Sequence, residues 1–490
     1  MTFVLVLLTA AALCAQPADP AQQARKASEL VVAGKADEAI PIYLELARAA
    51  PNDASILVNL CIAEFKTRRF RDAAGHAEAA LKLQPDSLAA NLFLGASYTQ
   101  LGEHARAVPL LEKVIAAQPN DRNARVMLAE ALLALDRFDE SAQQFRRASE
   151  LAPDNPGVWY GLGRALEALA GRAFQQLEIA GPDSAYWHAL AAETYFRKRR
   201  YGSAFDSYHR ALATPSTLRG IHAGLAAIYK RTGHADWASI EEQREREIPP
   251  PECGTSKLAC EFAAGHYREI TESPGETPES LYWASKSYTE LARRAYDDLA
   301  QLPLSLETHL HGAKTYDADG LYQKAAAEWR QALKLVPGNL EAQAGLAWSL
   351  YRGGDHAAAL GLLTEFIKTS PDSRDLLFLS GASLLHLDQP EKAIPYLETA
   401  ARLDPPFVPA QAALGHALLL AGKAADAIPH LQAALPSDED AAIHFQLLRA
   451  YQLTGQTGLA RQALTAYQQA RTSSAEQKKM EEGGFIKPPR

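Results

Sequence analysis

The sequence predicts an all-α protein, an open superhelix built from stacked pairs of helices, and three observations support this fold class. Small residues recur with a constant period, and no strand-like run of Val, Ile and Thr stands out. The third observation is that prolines recur every 34 residues in two series: Pro51, Pro85, Pro119 and Pro153, then Pro303, Pro337, Pro371 and Pro405. A period near 34 is typical of helix–turn–helix repeats, so the length reflects the number of stacked units.

The first 15 residues predict a cleaved secretory signal peptide. An apolar core from Phe3 to Leu13 is followed by small Ala15 and a polar stretch containing proline, although no Lys or Arg precedes the core. The alternatives are lipidation at Cys14, where Leu13 is larger than such motifs prefer, and a misassigned start. We therefore expect an exported protein, periplasmic or secreted.

Residues 21–155 predict a regular array of two-helix repeats. The helices of each pair should approach closely where small residues recur, since larger side chains would overpack the contact. The first small column contains Ala27, Cys61, Gly95, Ala129 and Gly163, and later Ala313, Ala347, Gly381 and Gly415. Turn glycines that can end the first helix of a pair in a left-handed cap are Gly34, Gly102, Gly233, Gly320, Gly354, Gly422 and Gly455.

Two stretches carry this pattern almost without gaps, residues 91–121 (NLFLGASYTQLGEHARAVPLLEKVIAAQPND) and 316–339 (YDADGLYQKAAAEWRQALKLVPGN). With Leu94, Gly95, Tyr98, Ala107 and Pro119 in the expected columns, the chain resembles the tetratricopeptide repeat family over nearly all of residues 21–471. The resemblance implies a solenoid whose first helices form a concave surface that binds peptides or proteins.

The period breaks in residues 156–248, which we interpret as a fused-helix unit followed by two repeats. From Gly163 to Ala192 the step is 29 residues, and an apolar stripe runs unbroken through the place of the missing turn. Residues 281–305 repeat this pattern, so we infer an internal duplication. The rival interpretation, a phosphate-binding loop at Gly161–Gly163, lacks a preceding strand, and the second copy has Ala284 and Ser285 there.

Residues 249–280 predict a non-repetitive linker with a short helical hairpin. Cys253 and Cys260 lie close together in this segment, and an oxidising compartment would favour a disulfide between them. A zinc site is the alternative, but it would lack further ligands nearby. Regular repeats should resume at 306–471, and the tail at 472–490, which is polar and has Gly and Pro near its end, predicts disorder.

Histidine replaces the usual aromatic residue at one column of the repeat. The residues concerned are His188, His222, His309 and His444. A metal site is one interpretation, but recurrence in a packing column favours a half-buried position between helices. No metal-binding spacing supports the first interpretation.

Charge and motifs narrow the function classes. The formal charge of −8 gives no electrostatic footprint for nucleic acid, and no later stretch approaches a membrane span. We expect no cofactor, no metal and no small-molecule substrate. Because no catalytic motif is visible, an enzyme is the least favoured hypothesis.

The first helices should supply a partner-binding surface. In the C-terminal array it would have an aromatic and basic lining, the composition enriched at protein interfaces. Its predicted residues are Trp348, Tyr351, Arg352, Phe378, His386, His416, Phe445, Arg449 and Gln452. The more apolar N-terminal counterparts are Val58, Ile62, Phe65, Leu92, Val126 and Leu133. The leading hypothesis is a non-catalytic scaffold for protein or peptide partners in the cell envelope, and the alternative is an accessory subunit of envelope polymer export or outer-membrane assembly.

Overall fold

The computed structural model describes residues 19–213, 218–272, 274–438, 440–481 and 486–489. Within these residues the secondary structure is helical, and the all-α fold class is confirmed. The predicted signal peptide, including Cys14, lies outside the described residues. The chain divides into two compact units, Met1–Ala165 and Leu166–Arg490, with the boundary inside one long helix.

The first unit contains consecutive hairpins of short helices. Its helices are α1 Pro20–Val32, α2 Ala36–Ala49, α3 Ala54–Lys66, α4 Phe70–Leu83, α5 Leu88–Gln100, α6 His104–Ala117, α7 Arg122–Ala134 and α8 Phe138–Leu151. Each helix packs on the next along the chain, as expected for a stacked array. Ala27, Cys61 and Ala129 of the small-residue column are fully buried where helices meet.

The long helix α9 spans Pro156–Ala180, and the second unit continues with further hairpins. These helices are α10 Ala185–Arg197, α11 Tyr201–Ala213, α12 Ile221–Arg231, α13 Ala235–Glu247, α14 Lys257–Ala263, α15 Tyr267–Glu272, α16 Pro278–Ala300, α17 Leu306–Ala318, α18 Tyr322–Leu335, α19 Leu340–Arg352, α20 His356–Thr369, α21 Arg374–His386, α22 Pro390–Leu403, α23 Val408–Leu420, α24 Ala424–Ala434, α25 Ala442–Leu453 and α26 Thr457–Glu481. The first helix of a regular hairpin often begins at a polar cap after the repeat proline. For example, the Asp53 carboxylate accepts the Ser55 N–H at 2.8 Å.

The turns between paired helices have a left-handed residue, as the glycine column predicts. Gly102 has φ +77° and Gly354 has φ +81°. Non-glycine residues also adopt this conformation at the same place in other repeats, with φ +62° at Arg68 and +57° at Asp136. Packing of the two helices therefore imposes the turn geometry, and glycine only lowers its conformational cost.

The two fused helices are present as predicted, α9 with 25 residues and α16 with 23. Their duplicated segments also contact each other, which the sequence did not indicate. The Ser285 hydroxyl donates to the Ala170 carbonyl at 3.0 Å, and the Tyr296 hydroxyl donates to Glu167 at 2.9 Å. The break in the period thus brings two related helices together.

The linker and the histidine column follow the predictions from sequence. Cys253 and Cys260 form a disulfide that joins the segment before α14 to α14 itself. The column histidines lie between helices, mostly paired with an acidic side chain. His222 Nδ1 is 2.5 Å from Glu241, His309 Nδ1 is 2.7 Å from Glu328, and the fourth pair is His444 with Asp438.

The C-terminal tail differs from the predicted disorder at 472–490. Helix α26 continues to Glu481, and Ile486 packs against the core cluster around α11 and α12. The Tyr229 hydroxyl donates to the Lys487 carbonyl at 2.7 Å. The prediction rested on polar composition, and contacts with distant parts of the second unit override that local preference.

Candidate partner-binding groove

The first helices of the C-terminal hairpins form a groove. Helices α19, α21, α23 and α25 lie side by side, each in contact with the next. Between them is an open cavity of about 340 Å³. It is lined by Tyr351, Phe378, Ala382, Leu385, His386, Pro409, Ala412, Ala413, His416, Ala442, Ile443 and Gln446. We call this cavity and its lining the C-terminal groove.

Four of the residues predicted from sequence line this groove, namely Tyr351, Phe378, His386 and His416. Phe378 is also part of the packing, because it is only 8% exposed and its ring lies edge-on to Phe407 at 5.2 Å. Its substitution would therefore perturb the fold as well as the groove. Tyr351 and His416 are half-buried and His386 is exposed, so all three can contact a ligand directly.

The other predicted residues of the C-terminal array do not line the cavity. Trp348 is exposed beside Tyr351, and the Arg352 guanidinium lies 5.5 Å from the Tyr322 ring. Phe445 is exposed and packs on Tyr467 of α26 at 5.5 Å. Arg449 and Gln452, also on α25, are exposed as well. These residues can extend a binding surface beyond the cavity, but the structure does not bring them all to one site.

The N-terminal candidates are half-buried and contribute to packing. Phe65 makes edge contacts with Phe70 at 5.4 Å and Phe93 at 5.5 Å. The remaining members, each half-buried, are Val58, Ile62, Leu92, Val126 and Leu133. Their role in partner binding remains a prediction.

Beside the groove lies a histidine pair of which the sequence predicted only one member, His386. The rings of His356 and His386 are stacked at 4.1 Å with an interplanar angle of 3°, and Tyr351 Oη lies 3.3 Å from His386 Nε2. His356 lies in the second helix of its hairpin, outside the column used for prediction. Only the aromatic and histidine content of neighbouring repeats could have indicated it.

Burial lowers the pKa of two histidines at the groove, His356 and His416. Desolvation, and then the neighbouring His386, lower the pKa of His356. Desolvation, and then the cationic Arg449, lower the pKa of His416. A groove of aromatic, imidazole and alanine side chains suits apolar and hydrogen-bonding groups of a peptide.

Acidification should destabilise the groove. A folded pKa below the ordinary value of 6.5 means that the unfolded chain binds more protons, so stability is lost as pH falls below 6.5. We expect the hydrogen-exchange protection factors of amides in α19–α23 to fall between pH 7.5 and 5.5. His356→Gln should reduce this fall.

His266→Gln is the matched control for this prediction. Its side chain is exposed, and a hydrogen bond to Glu261 raises its pKa, so its loss removes no acid-sensitive group from the groove. Equal acid sensitivity in wild type and His356→Gln would contradict the assignment of the histidine pair.

A second open cavity, of about 880 Å³, lies between the C-terminal part of α9, α10 and α16. It is more polar than the C-terminal groove. Lys286 and Glu193 form an ion pair across it at 2.7 Å, and the Tyr296 and His311 rings stack at 3.8 Å. Several of its charged side chains pair with each other, among them Arg293 with Glu290 and Asp297, and the lining gives no preference for one ligand class.

Among the described residues, no three or more His, Cys, Asp or Glu side chains form a group that could hold a metal ion. In the same part of the chain, no helix combines the length and apolar character needed to cross a bilayer.

Comparison with known proteins identifies the repeats. Models of the family described as tetratricopeptide repeat match residues 58–122, 98–165, 312–374 and 346–406. These matches fall in both regular arrays and include helices α19 and α21 of the C-terminal groove.

Curated relatives match over a limited part of their own length. Cellulose synthase 2 operon protein C of Komagataeibacter xylinus is 25% identical over 389 residues, 69% of this chain and 29% of that protein. Protein CTR9 homolog of Arabidopsis thaliana is 22% identical over 316 residues, 58% of this chain and 29% of that protein. Superkiller complex protein 3 of Mus musculus is 23% identical, over 75% of this chain and 26% of that protein. The matched region therefore spans less than a third of each relative.

Among solved structures, MamA from Desulfovibrio magneticus RS-1 (41-end) is 26% identical, with a TM-score of 0.28. The match covers 30% of this chain and 84% of that one. The family models and the helical hairpins described above agree on the nature of the repeat. The chain therefore contains tetratricopeptide repeats, in an array on each side of its two fused helices.

Proposed function

We propose that this chain is a non-catalytic scaffold that binds a peptide or protein partner in the C-terminal groove. The observation that carries the proposal is the convergence of Tyr351, His386 and His416 on one open cavity between first helices. Proteins with these repeats commonly bind protein partners on this surface. The cavity lies at the lower end of the roughly 300–1,000 Å³ range of ligand sites, a size that suits anchoring side chains of a longer peptide.

The location we propose is the cell envelope. The apolar segment Phe3–Leu13 supports export, and the Cys253–Cys260 disulfide is consistent with an oxidising compartment. A second candidate function is that of an accessory subunit in envelope polymer export or outer-membrane assembly. Similarity to Cellulose synthase 2 operon protein C favours it, over 29% of that protein's length.

Site-specific photo-crosslinking tests the scaffold proposal. A photoreactive phenylalanine analogue is placed at Ala412, which lines the groove, or at Ala433, which is exposed on the second helix of the same hairpin. In cells of the source organism, position 412 should attach a defined partner that mass spectrometry identifies, and position 433 should not. Attachment of the same proteins at both positions, or at 433 alone, would count against the groove.

A further inference from the structure

The C-terminal segment Ile486–Pro489 lies on a surface other than the C-terminal groove. The residues that form this surface are far from the segment in the sequence. Ile486 is half-buried and packs against the core cluster that contains Phe205, Ile221 and Tyr229. The Tyr229 hydroxyl donates to the Lys487 carbonyl at 2.7 Å, across 258 residues of sequence. Helix α26 packs on α11 and so leads the segment to this place. These contacts hold an extended piece of chain on a helical surface.

This surface is available because the regular stack ends at α13. Helix α13 has an extended interface with α12 alone among the described helices, whereas second helices elsewhere also pack on the next hairpin. Prolines at 249–251 follow it in the sequence, and the next helix, α14, has only 7 residues. On α13, Trp237 is half-buried and Ile240 is exposed, so apolar side chains of this last helix remain uncovered.

Aromatic rings surround Tyr229 on this surface. The Tyr229 ring lies 5.7 Å from Trp237 and 5.9 Å from Phe205, both edge-on. His234 stacks on Trp237 at 4.2 Å. We call Phe205, Tyr229, His234 and Trp237 the Tyr229 surface. It offers an apolar contact area and one directed hydroxyl donor.

The seated segment has the properties of an extended peptide ligand. Its sequence is Ile-Lys-Pro-Pro, in which Ile486 supplies the apolar anchor and Lys487 supplies the carbonyl acceptor. Proline has no N–H to satisfy and favours an extended conformation, so ordering such a segment costs little entropy. Aromatic-lined grooves recognise proline-rich peptides for this reason.

We propose that the Tyr229 surface is a peptide-binding site for an extended segment in which an apolar residue is followed, after one residue of any type, by Pro-Pro. In the resting chain the site holds the C-terminal segment itself. A partner carrying the same chemistry binds by displacing it. Because the internal segment acts at an effective concentration in the millimolar range, a free peptide competes poorly until the tail is released. The site is separate from the C-terminal groove and does not depend on its function.

The test uses the full chain and a fluorescein-labelled peptide Gly-Gly-Phe-Ile-Lys-Pro-Pro-Arg, the sequence of residues 483–490. Ile486→Asp removes the apolar anchor from the internal segment. Fluorescence anisotropy should show at least about tenfold tighter peptide binding to this variant than to wild type, because internal competition is lost. Adding Tyr229→Phe to Ile486→Asp should weaken peptide binding about fivefold, since one hydrogen bond is removed.

Lys487→Ala in the full chain is the matched control. The Lys487 side chain is exposed and its carbonyl is retained, so this variant should bind the peptide as weakly as wild type. Ile486→Ala, a milder change, should give the same ordering with a smaller ratio if Ile486→Asp loses helicity by circular dichroism. Equal peptide binding by wild type and both Ile486 variants, or no effect of Tyr229→Phe, would overturn the proposal. Neither result depends on whether the C-terminal groove binds a partner.

Discussion

Gly381→Ala is expected to destabilise the C-terminal array, although alanine is the better helix former. Gly381 lies in α21 where it meets α22, and a Cβ atom there would be 2.4 Å from Cγ of Leu397. Leu397 is fully buried, and Cγ cannot move away by rotation of a free end. Overpacking of this kind costs about 1–3 kcal/mol, more than the roughly 1 kcal/mol gained in helix propensity.

Gly361→Ala is the matched control on the neighbouring helix α20. Gly361 is exposed, and a Cβ there would have no heavy atom within 4 Å beyond its own helix. This variant should therefore gain up to about 1 kcal/mol of stability from helix propensity alone. Thermal unfolding by circular dichroism, with hydrogen exchange of α21 and α22, compares the two variants. A shift in the same direction for both would mean that the small-residue column does not set the distance between the helices.

The same column explains how much of the fold could be predicted from sequence. The 34-residue period of prolines and small residues predicted the hairpins, and the loss of five residues after Gly163 predicted the fused helix α9. Both are local signals, because they depend on spacing along one chain segment. The left-handed turns at Arg68 and Asp136 could not be found in this way, since packing imposes them without a glycine.

The candidate site was predicted only in part, for a related reason. Repeat position identified Tyr351, His386 and His416, because first helices face the groove at fixed columns. It missed His356, which lies on a second helix and stacks on His386. It also included Phe445, which packs on α26. Contacts that join distant segments leave little trace in a periodic pattern. The Lys487–Tyr229 hydrogen bond is the clearest example.

Ala412→Arg should abolish most partner binding in the C-terminal groove. Ala412 is half-buried, lies on α23 and lines the cavity. Arginine has a helix propensity close to that of alanine, so the helix should persist while the long side chain fills the groove and adds a charge. We expect at least about a tenfold loss of affinity, the equivalent of about 1.4 kcal/mol.

The control is the same substitution at Ala433 on α24. This residue is exposed near the end of the second helix, where a cation is favourable to the helix dipole. Ala433→Arg therefore matches the charge and size of Ala412→Arg without entering the groove. Circular dichroism of both variants should show the helicity and the unfolding temperature of wild type.

The dissociation constant of the crosslinked partner, measured by calorimetry for wild type, Ala412→Arg and Ala433→Arg, tests the central claim most directly. A loss of affinity confined to Ala412→Arg is the result that a scaffold with its binding site between first helices predicts. Undiminished binding by Ala412→Arg, with the fold intact, would contradict it.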